Sequence, residues 1–316
     1  MIRSKITVRA FAKVNLSIDV GDLMNNGYHK VDMLMQQISF HDDVTVSIEK
    51  ELEPGSIRLD PGRDYLPNDS KNFAYKAAAI MRKEFPQSAA LGGISIVINK
   101  RIPVAAGLAG GSGDAAAVMH GLNILWGLNL TLKQICRFCA RIGSDVPFSA
   151  MCQAYSNYNF PYKLRRDKLA APCARARGRG TELEAVNGIE KPIVIAKPRL
   201  SVSTAEAYGN LDDCRISERP DNDRLIRDMK SGSDDMYDNF INVLENYTLA
   251  HYPEVADLKA KMCGTGARAV LMSGSGPTVF AVYDGMEKAQ AVSNELRAEG
   301  YEAYWTKTFK RRAANH

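Results

Sequence analysis

Hydrophobic and polar residues alternate in some parts of the chain and cluster in others. Residues 44–48 alternate between apolar and polar, and residues 94–98 form a mainly apolar run, so both stretches predict β-strands. The patterns at residues 72–85 and 114–126 predict helices. The first half of the chain therefore mixes strands with helices.

After residue 190 the elements follow a different order. The pattern predicts strands at residues 192–196, 267–273, 278–283 and 302–308, and helices at residues 204–211, 237–247, 254–262 and 286–299. That order is typical of an α+β domain. We therefore expect an α+β fold with two domains, residues 1–150 and 191–316, joined by an atypical basic connection at residues 151–190.

The composition is that of a globular protein. The 316 residues are 45% hydrophobic and 24% charged, which suffices for two packed cores. No stretch approaches a membrane span of roughly 20 apolar residues, and the start of the chain lacks the apolar core of a secretory signal. The six cysteines are scattered, and the pair Cys136 and Cys139 has no second ligand pair for zinc. We expect a cytoplasmic protein with reduced thiols and no membrane partner.

The positive charge is concentrated in one segment. The chain carries a net charge of +5, and residues 161–180 alone hold seven Lys or Arg and one Asp. The rest of the chain is close to neutral. This distribution argues against a surface that coats nucleic acid.

A glycine-rich run leads into a helical pattern at residues 103–123, "PVAAGLAGGSGDAAAVMHGLN". Glycines allow close backbone approach, and a helix that begins behind them points amide groups at an anion. A dinucleotide fold would need an acidic residue about 20 positions further on, but neither Asp nor Glu occurs between Asp114 and Asp145. A Walker loop would need a Gly-Lys pair, which the sequence lacks. A tight strand-to-helix connection and a third phosphate-binding frame, which begins at Pro103, remain.

In that third frame the chain resembles the GHMP kinases. Four stretches carry the resemblance in the family's order: "AKVNLSIDV" with "GYHKVDMLMQQISFHDDV", "RIPVAAGLAGGSGDAA", "IGSDVPF" and "MSGSGPTVFAVYD". They are most similar to a branch that phosphorylates the 2-hydroxyl of a cytidine diphosphate-linked polyol in isoprenoid biosynthesis. The resemblance implies the two-domain GHMP fold with a ferredoxin-like second domain, a site in the cleft between the domains, and ATP and Mg²⁺ as cofactors.

The resemblance also assigns the residues that bind ATP. Asn72 and Lys100 match positions that contact its adenosine part, although both could equally be surface residues. Ser112 is the candidate ligand for Mg²⁺ or a phosphate. A second glycine loop would form another wall of the site, although alone it would be interpreted as a hairpin turn. The first loop comprises Pro103, Gly107, Leu108, Ala109, Gly110, Gly111, Ser112, Gly113 and Asp114, and the second comprises Gly274, Ser275 and Gly276.

Two charged residues match the catalytic positions of the family. Asp145 would be the base that takes the proton of the attacking hydroxyl, and Lys13 would keep that carboxylate ionised and stabilise the transferring charge. Asp145 could also be a turn residue, and Lys13 an edge-strand lysine that reaches water. Asn15 would orient the substrate.

Aromatic residues match the cytosine site. Tyr28 and His29 would hold the base by stacking and by hydrogen bonds to its edge, and Tyr208 would be the stacking partner from the second domain. Thr204 precedes Tyr208 at the start of its helix. Without the resemblance, Tyr28 and His29 would be interpreted as a partly buried surface pair.

The sequence departs from the family in two places. Ala109 stands where a glycine is usual, and Gly113 where a second serine is common. Residues 149–173 replace a direct passage to a "GGTAL" strand. This segment could be a tolerated surface insertion, a damaged strand or an anion-binding element. As a surface insertion it should be mobile, cut by trypsin and replaceable by a short link.

Two alternatives to the main hypothesis remain. One is another GHMP small-molecule kinase, and the other is a non-catalytic nucleotide- or RNA-binding relative, favoured by the basic segment and by residues 310–312. The main hypothesis predicts a small-molecule substrate, no nucleic-acid partner, and a monomer or weak homodimer.

Overall fold

The computed structural model describes residues 4–25 and 27–311. Its strands are β1 (Lys5–Leu23), β2 (His29–Glu49), β3 (Ile57–Asp60), β4 (Gly93–Asn99), β5 (Cys173–Gly178), β6 (Glu182–Val186), β7 (Pro192–Lys197), β8 (Ala269–Met272), β9 (Val279–Val282) and β10 (Glu302–Lys307). Its α-helices are α1 (Phe73–Glu84), α2 (Pro86–Ala89), α3 (Gly110–Leu125), α4 (Leu132–Cys139), α5 (Val146–Ser156), α6 (Tyr162–Arg165), α7 (Thr204–Gly209), α8 (Asn222–Ser231), α9 (Glu245–His251), α10 (Pro253–Cys263) and α11 (Met286–Ala298). The predicted α+β class is confirmed.

The chain divides into two compact units. Unit 1 comprises Met1–Ala12, Phe40–Val104 and Ala109–Ala171, and unit 2 comprises Lys13–Ser39, Ala105–Leu108 and Pro172–His316. Both β1 and β2 therefore contribute residues to each unit. This division differs from the expected contiguous one because long strands cannot be assigned to a unit from their local pattern.

Unit 1 packs helices on part of a sheet. The second half of β2 pairs antiparallel with β4, and β4 pairs in parallel with β3. Helix α3 packs against α1 and α5. Its run Ala115, Ala116 and Ala117 is fully buried, since small side chains allow neighbouring helices to approach closely.

Unit 2 contains a complete antiparallel sheet. Its four strands lie in the order β10-β7-β9-β8, with helices before β8 and between β9 and β10, which gives the chain order βαββαβ. Helix α11 packs against β7 and β10, and α10 packs against β8. In the same unit, the first half of β2 pairs with β5, which pairs with β6.

The atypical segment at residues 149–173 does not form a surface insertion. Its first part continues α5, whose residues are almost all buried. Phe160, Leu164 and Ala170 then belong to the hydrophobic core of unit 1. The expectation of few core contacts is wrong because the apolar side chains of this segment point inward.

The basic residues of the connection are partly neutralised. The Arg175 guanidinium binds Asp32 at 2.6 Å and Asp223 at 2.6 Å, and the Arg177 guanidinium lies 3.0 Å from Glu184. Of the basic residues at 310–312, Arg312 lies outside the described residues.

The prediction of a helix at residues 237–247 is wrong. The structure has a 3₁₀ turn at Asp234–Asn239 and then α9. The Asn242 amide between them donates to the carbonyls of Met272 and Gly274, each at 2.8 Å, while its oxygen accepts from the Leu244 N–H. These bonds fix a non-helical backbone.

The remaining expectations vary in accuracy. Helix α3 begins four residues earlier than the predicted start, at the glycines themselves. The six cysteines are all free, as expected. Within residues 4–25 and 27–311, no helix is both long enough and apolar enough to traverse a lipid bilayer.

Candidate active site

The first glycine loop contains strained backbone. Ala105 has φ 51°, Gly107 has φ 72° and Ala109 has φ 58°. A non-glycine residue in this left-handed region costs roughly 1–2 kcal/mol. The structure thus explains the usual glycine at position 109, and such strain is typical of loops that must present their backbone to a ligand.

The start of α3 can accept an anion. The preceding Ala109 provides no side-chain cap, and the amide groups of a first helical turn have no partner within their helix. A Cβ added at Gly111 would meet nothing within 4 Å. Ser112, the third residue of the helix, is half-buried, and the half-buried Pro103 precedes the loop. These features suit a phosphate group.

Gly113 is buried in the same helical turn. Its N–H donates to the Ala109 carbonyl, and its own carbonyl accepts from the Gln153 amide at 2.8 Å. A Cβ there would lie 3.5 Å from Ala10, an ordinary contact. The usual serine is therefore not excluded by its Cβ.

The two glycine loops touch within unit 2. A Cβ at Gly107 would lie 2.3 Å from the Ser273 carbonyl oxygen, so only glycine fits. The Ser273 hydroxyl donates to the Gly107 carbonyl at 3.0 Å. Gly274 and Gly276 have φ 61° and 88°. The second loop joins β8 to β9 and also packs on the first loop, so it is more than a hairpin turn.

Lys13 and Asn15 join these loops. The Lys13 ammonium donates to the Asn15 side-chain oxygen at 2.6 Å and to the Gly107 carbonyl at 2.8 Å. The Asn15 oxygen also accepts from the Gly274 N–H at 3.0 Å, and the Leu108 carbonyl accepts from the Lys13 N–H. Lys13 is buried, so its interpretation as a lysine that reaches water is wrong.

Asp145 lies directly before α5 in unit 1, whereas Lys13 lies in unit 2. Its side chain is half-buried, and its backbone carbonyl accepts from the N–H and the hydroxyl of Ser149. The turn position expected from the sequence is therefore present, at the N-terminal start of α5.

The aromatic residues predicted to bind a base approach one another in unit 2. The rings of His29 and Tyr208 are 6.0 Å apart, and the Arg179 guanidinium lies over the half-exposed Tyr28 ring at 5.6 Å. The His29 side chain is 8% exposed, and its Nε2 lies 3.7 Å from the Asp212 carboxylate. Among the described residues, that nitrogen has no hydrogen-bond partner. A buried nitrogen of this kind is suited to a polar ligand.

Thr204 connects the aromatic residues with the second glycine loop. It is the first residue of α7, the helix that also carries Tyr208. Its hydroxyl lies 3.0 Å from the hydroxyl of Ser275. The structure therefore brings these two residues together.

The residues predicted to contact adenosine have structural partners. The Asn72 side chain caps α1 by accepting from the Ala74 N–H, and it donates to the Pro67 carbonyl. The buried Lys100 ammonium donates to Asp42 and Asp114, each at 2.6 Å. Asp42 was not among the predicted residues, and its only sequence signal is an acidic position just before the strand pattern at residues 44–48.

The neighbouring charges shift the pKa values of Lys100 and Asp114. Burial raises the pKa of Asp114, and the neighbouring Asp42 adds to the shift, whereas Lys100 opposes it. Burial lowers the pKa of Lys100, but the two carboxylates outweigh it and raise that pKa. The lysine therefore stays charged.

Two family models match the chain. "GHMP kinases N terminal domain" matches residues 72–153, and "GHMP kinases C terminal" matches residues 217–302. The chain is 42% identical over 303 residues to the 4-diphosphocytidyl-2-C-methyl-D-erythritol kinase of Exiguobacterium sibiricum, covering 95% of this chain and 96% of that protein. It is 38% identical over 312 residues to the kinase of the same name from Alkaliphilus metalliredigens, covering 98% of each.

Solved structures agree with these matches. A crystal structure of 4-(cytidine 5'-diphospho)-2C-methyl-D-erythritol kinase superposes with a TM-score of 0.75 at 28% identity, covering 96% of this chain and 99% of that one. Homoserine kinase from Cytophaga hutchinsonii gives a TM-score of 0.68 at 16% identity, with 98% and 97% covered. The latter similarity concerns the fold alone.

Proposed function

The chain belongs to the 4-diphosphocytidyl-2-C-methyl-D-erythritol kinase family of the GHMP kinases, and we propose how its residues carry out the phosphorylation. It is an ATP-dependent small-molecule kinase of non-mevalonate isoprenoid biosynthesis, and 4-diphosphocytidyl-2-C-methyl-D-erythritol is its substrate. We assign the 2-hydroxyl as the acceptor. The observation that carries the site assignment is the uncapped start of α3 behind a strained glycine loop.

The phosphates of ATP bind at residues 106–114. The amide groups at the start of α3 supply hydrogen-bond donors and the positive end of the helix dipole. Among the described residues, no group of three or more His, Cys, Asp or Glu side chains could hold a metal. The Ser112 hydroxyl would be the protein contact of Mg²⁺. Bound Mg²⁺ would neutralise phosphate charge.

Asp145 accepts the proton of the attacking hydroxyl. Its half-buried side chain at the N-terminal start of α5 supports this assignment. Lys13 stabilises charge on the transferring phosphoryl group, since its ammonium is fixed by Asn15 and Gly107 and needs little reorganisation. Asn15 orients the substrate through the same network.

His29, Tyr28 and Tyr208 bind the cytosine. The Nε2 of His29, which has no hydrogen-bond partner in the described part of the chain, supports a hydrogen bond to the base edge, and the tyrosine rings supply stacking surfaces. Thr204 and Ser275 lie next to this group. We assign the segments that contain Asn72 and Lys100 to the adenosine side of ATP.

We also propose that the enzyme acts in the cytoplasm as a monomer or weak homodimer with small molecules as its partners. The charged, water-soluble nature of both substrates supports this assignment. Paired arginines in the basic connection give no support to an RNA-binding role.

A coupled assay of ADP release by purified protein tests the function. ADP should appear only when ATP, Mg²⁺ and the cytidyl substrate are all present, and homoserine or mevalonate should not replace that substrate. Asp145→Asn and Lys13→Ala should each lower turnover by at least about 10²-fold, the usual lower range for a lost catalytic group. Their circular dichroism should stay unchanged.

Asp64→Asn is the matched control because that carboxylate is exposed and lies outside the proposed site. It should retain full turnover. Wild-type turnover of Asp145→Asn at saturating substrate would refute the assignment of the base.

A further inference from the structure

A buried charge cluster lies beside the phosphate loop in unit 1. It consists of Asp42 within β2, Lys100 directly after β4, and Asp114 in the second turn of α3. All three side chains are at least nine-tenths buried. The cluster combines two carboxyl groups with one ammonium, and burial beside Asp42 raises the pKa of Asp114.

Asp42 fixes the backbone that enters the loop. One of its oxygens accepts from the N–H of Arg101 at 2.5 Å and from the N–H of Ile102 at 2.8 Å, and the other accepts from Lys100. Three hydrogen bonds to one buried carboxylate leave the segment before Pro103 little freedom. The entry to the loop is therefore attached to β2.

Lys100 attaches the other end of the loop. Its ammonium donates to Asp114 at 2.6 Å, so a single side chain joins the start of the loop to the helix that ends it. A Cβ at Gly110 would lie 3.1 Å from that ammonium nitrogen. The glycine thus allows the start of α3 to pack directly on Lys100.

Stability is a weak reason to keep such a cluster. Removing charges from water costs several kcal/mol for each ion, and apolar replacements of buried ion pairs are often neutral or stabilising. A defined geometry is a stronger reason, because the loop between the two anchors contains left-handed alanines that local preference disfavours.

We propose that Asp42, Lys100 and Asp114 form a positioning clamp that holds both ends of the phosphate loop, so that ATP meets a preformed helix start. The clamp rests on the proposed function for its ligand. Asp42 and Asp114 are positioning residues, and they act through Lys100 and the backbone rather than through contact with phosphate or metal.

The experiment compares substitutions at Asp114. Asp114→Ala removes the acceptor from α3 and leaves the neutral pair of Lys100 and Asp42, so the fold should survive. Losing one hydrogen bond to a charged group should raise the KM for ATP about tenfold. The KM for the cytidyl substrate should change by less than about twofold, because the lost hydrogen bond positions only the loop that binds ATP.

The conservative variant separates positioning from direct binding. Asp114→Asn keeps an oxygen that can accept from Lys100, so it should restore most of the ATP affinity. A carboxylate that held Mg²⁺ would not be replaced by an amide, and Asn would then be as damaging as Ala. That result would overturn the proposal.

Loop order gives a second readout, independent of catalysis. Amide hydrogen exchange at residues 103–113, measured without nucleotide, should be faster in Asp114→Ala and in Asp42→Asn than in the wild type. Asp64→Asn is the control, because its exposed carboxylate lies outside the cluster, and its exchange should match the wild type. Unchanged exchange in both cluster variants would overturn the clamp even if the substrate assignment failed.

Discussion

Phe160 offers the sharpest test of whether the atypical segment belongs to the core. Its side chain is 3% exposed, and its ring lies 4.7 Å from that of His120 in α3. Removing a buried phenylalanine ring typically costs about 3–5 kcal/mol of folding free energy. Tyr158, two residues earlier, is 71% exposed, and truncating it should change stability by less than about 0.5 kcal/mol.

Fluorescence can follow unit 1 by itself. The chain has two tryptophans, of which Trp126 belongs to the core of unit 1 and Trp305 lies in β10 of unit 2. In a Trp305→Phe background, Phe160→Ala should strongly lower the midpoint of urea unfolding. Tyr158→Ala should leave that midpoint almost unchanged. Equal midpoints for the two variants would refute the core assignment and restore the surface-insertion hypothesis.

Two further predictions concern histidines. His29→Ala should raise the KM for the cytidyl substrate and leave the KM for ATP nearly unchanged, because it removes binding to a remote part of one substrate; steady-state kinetics that showed equal weakening of both would move His29 to the ATP site. Burial lowers the pKa of His120 from 6.5 to about 4. As the pH drops, the unfolded state therefore takes up a proton on this histidine before the folded state does. The free energy of unfolding should fall by about 3 kcal/mol between pH 7 and pH 4. Urea midpoints across this range should show a smaller loss in His120→Gln.

The helices with clear end signals could be predicted from sequence. Thr131 and Gln134 form a capping box before α4, and Asn72 caps α1, where the helix was expected. Helix α5 carries Asp145 at its N-cap and Pro147 in its first turn, but its apolar residues show no helical period because it is buried on nearly all sides. The resemblance to a family with a strand nearby then favoured an insertion.

The residues of the candidate site also differ in whether they could be predicted from sequence. The glycine loops, Lys13 and Asp145 could be predicted because short sequence motifs carry their chemistry. The partnership of Asp42 with Lys100 depends instead on the pairing of β2 with β4, in which Asp43 faces Asn99. Register between strands more than 40 residues apart is set by the packed sheet, and local pattern does not contain it.

The basic connection shows how the same limit affects a functional hypothesis. Summed along the sequence, residues 161–180 are strongly positive, which favoured an anionic partner such as RNA. The fold places Arg175 between Asp32, 143 residues away in sequence, and Asp223. A guanidinium held by two carboxylates has little remaining attraction for phosphate, because binding RNA would require those bonds to break. The charge of this segment is therefore partly used to join β5 with β2 and α8, and it does not favour a nucleic-acid surface over the kinase site.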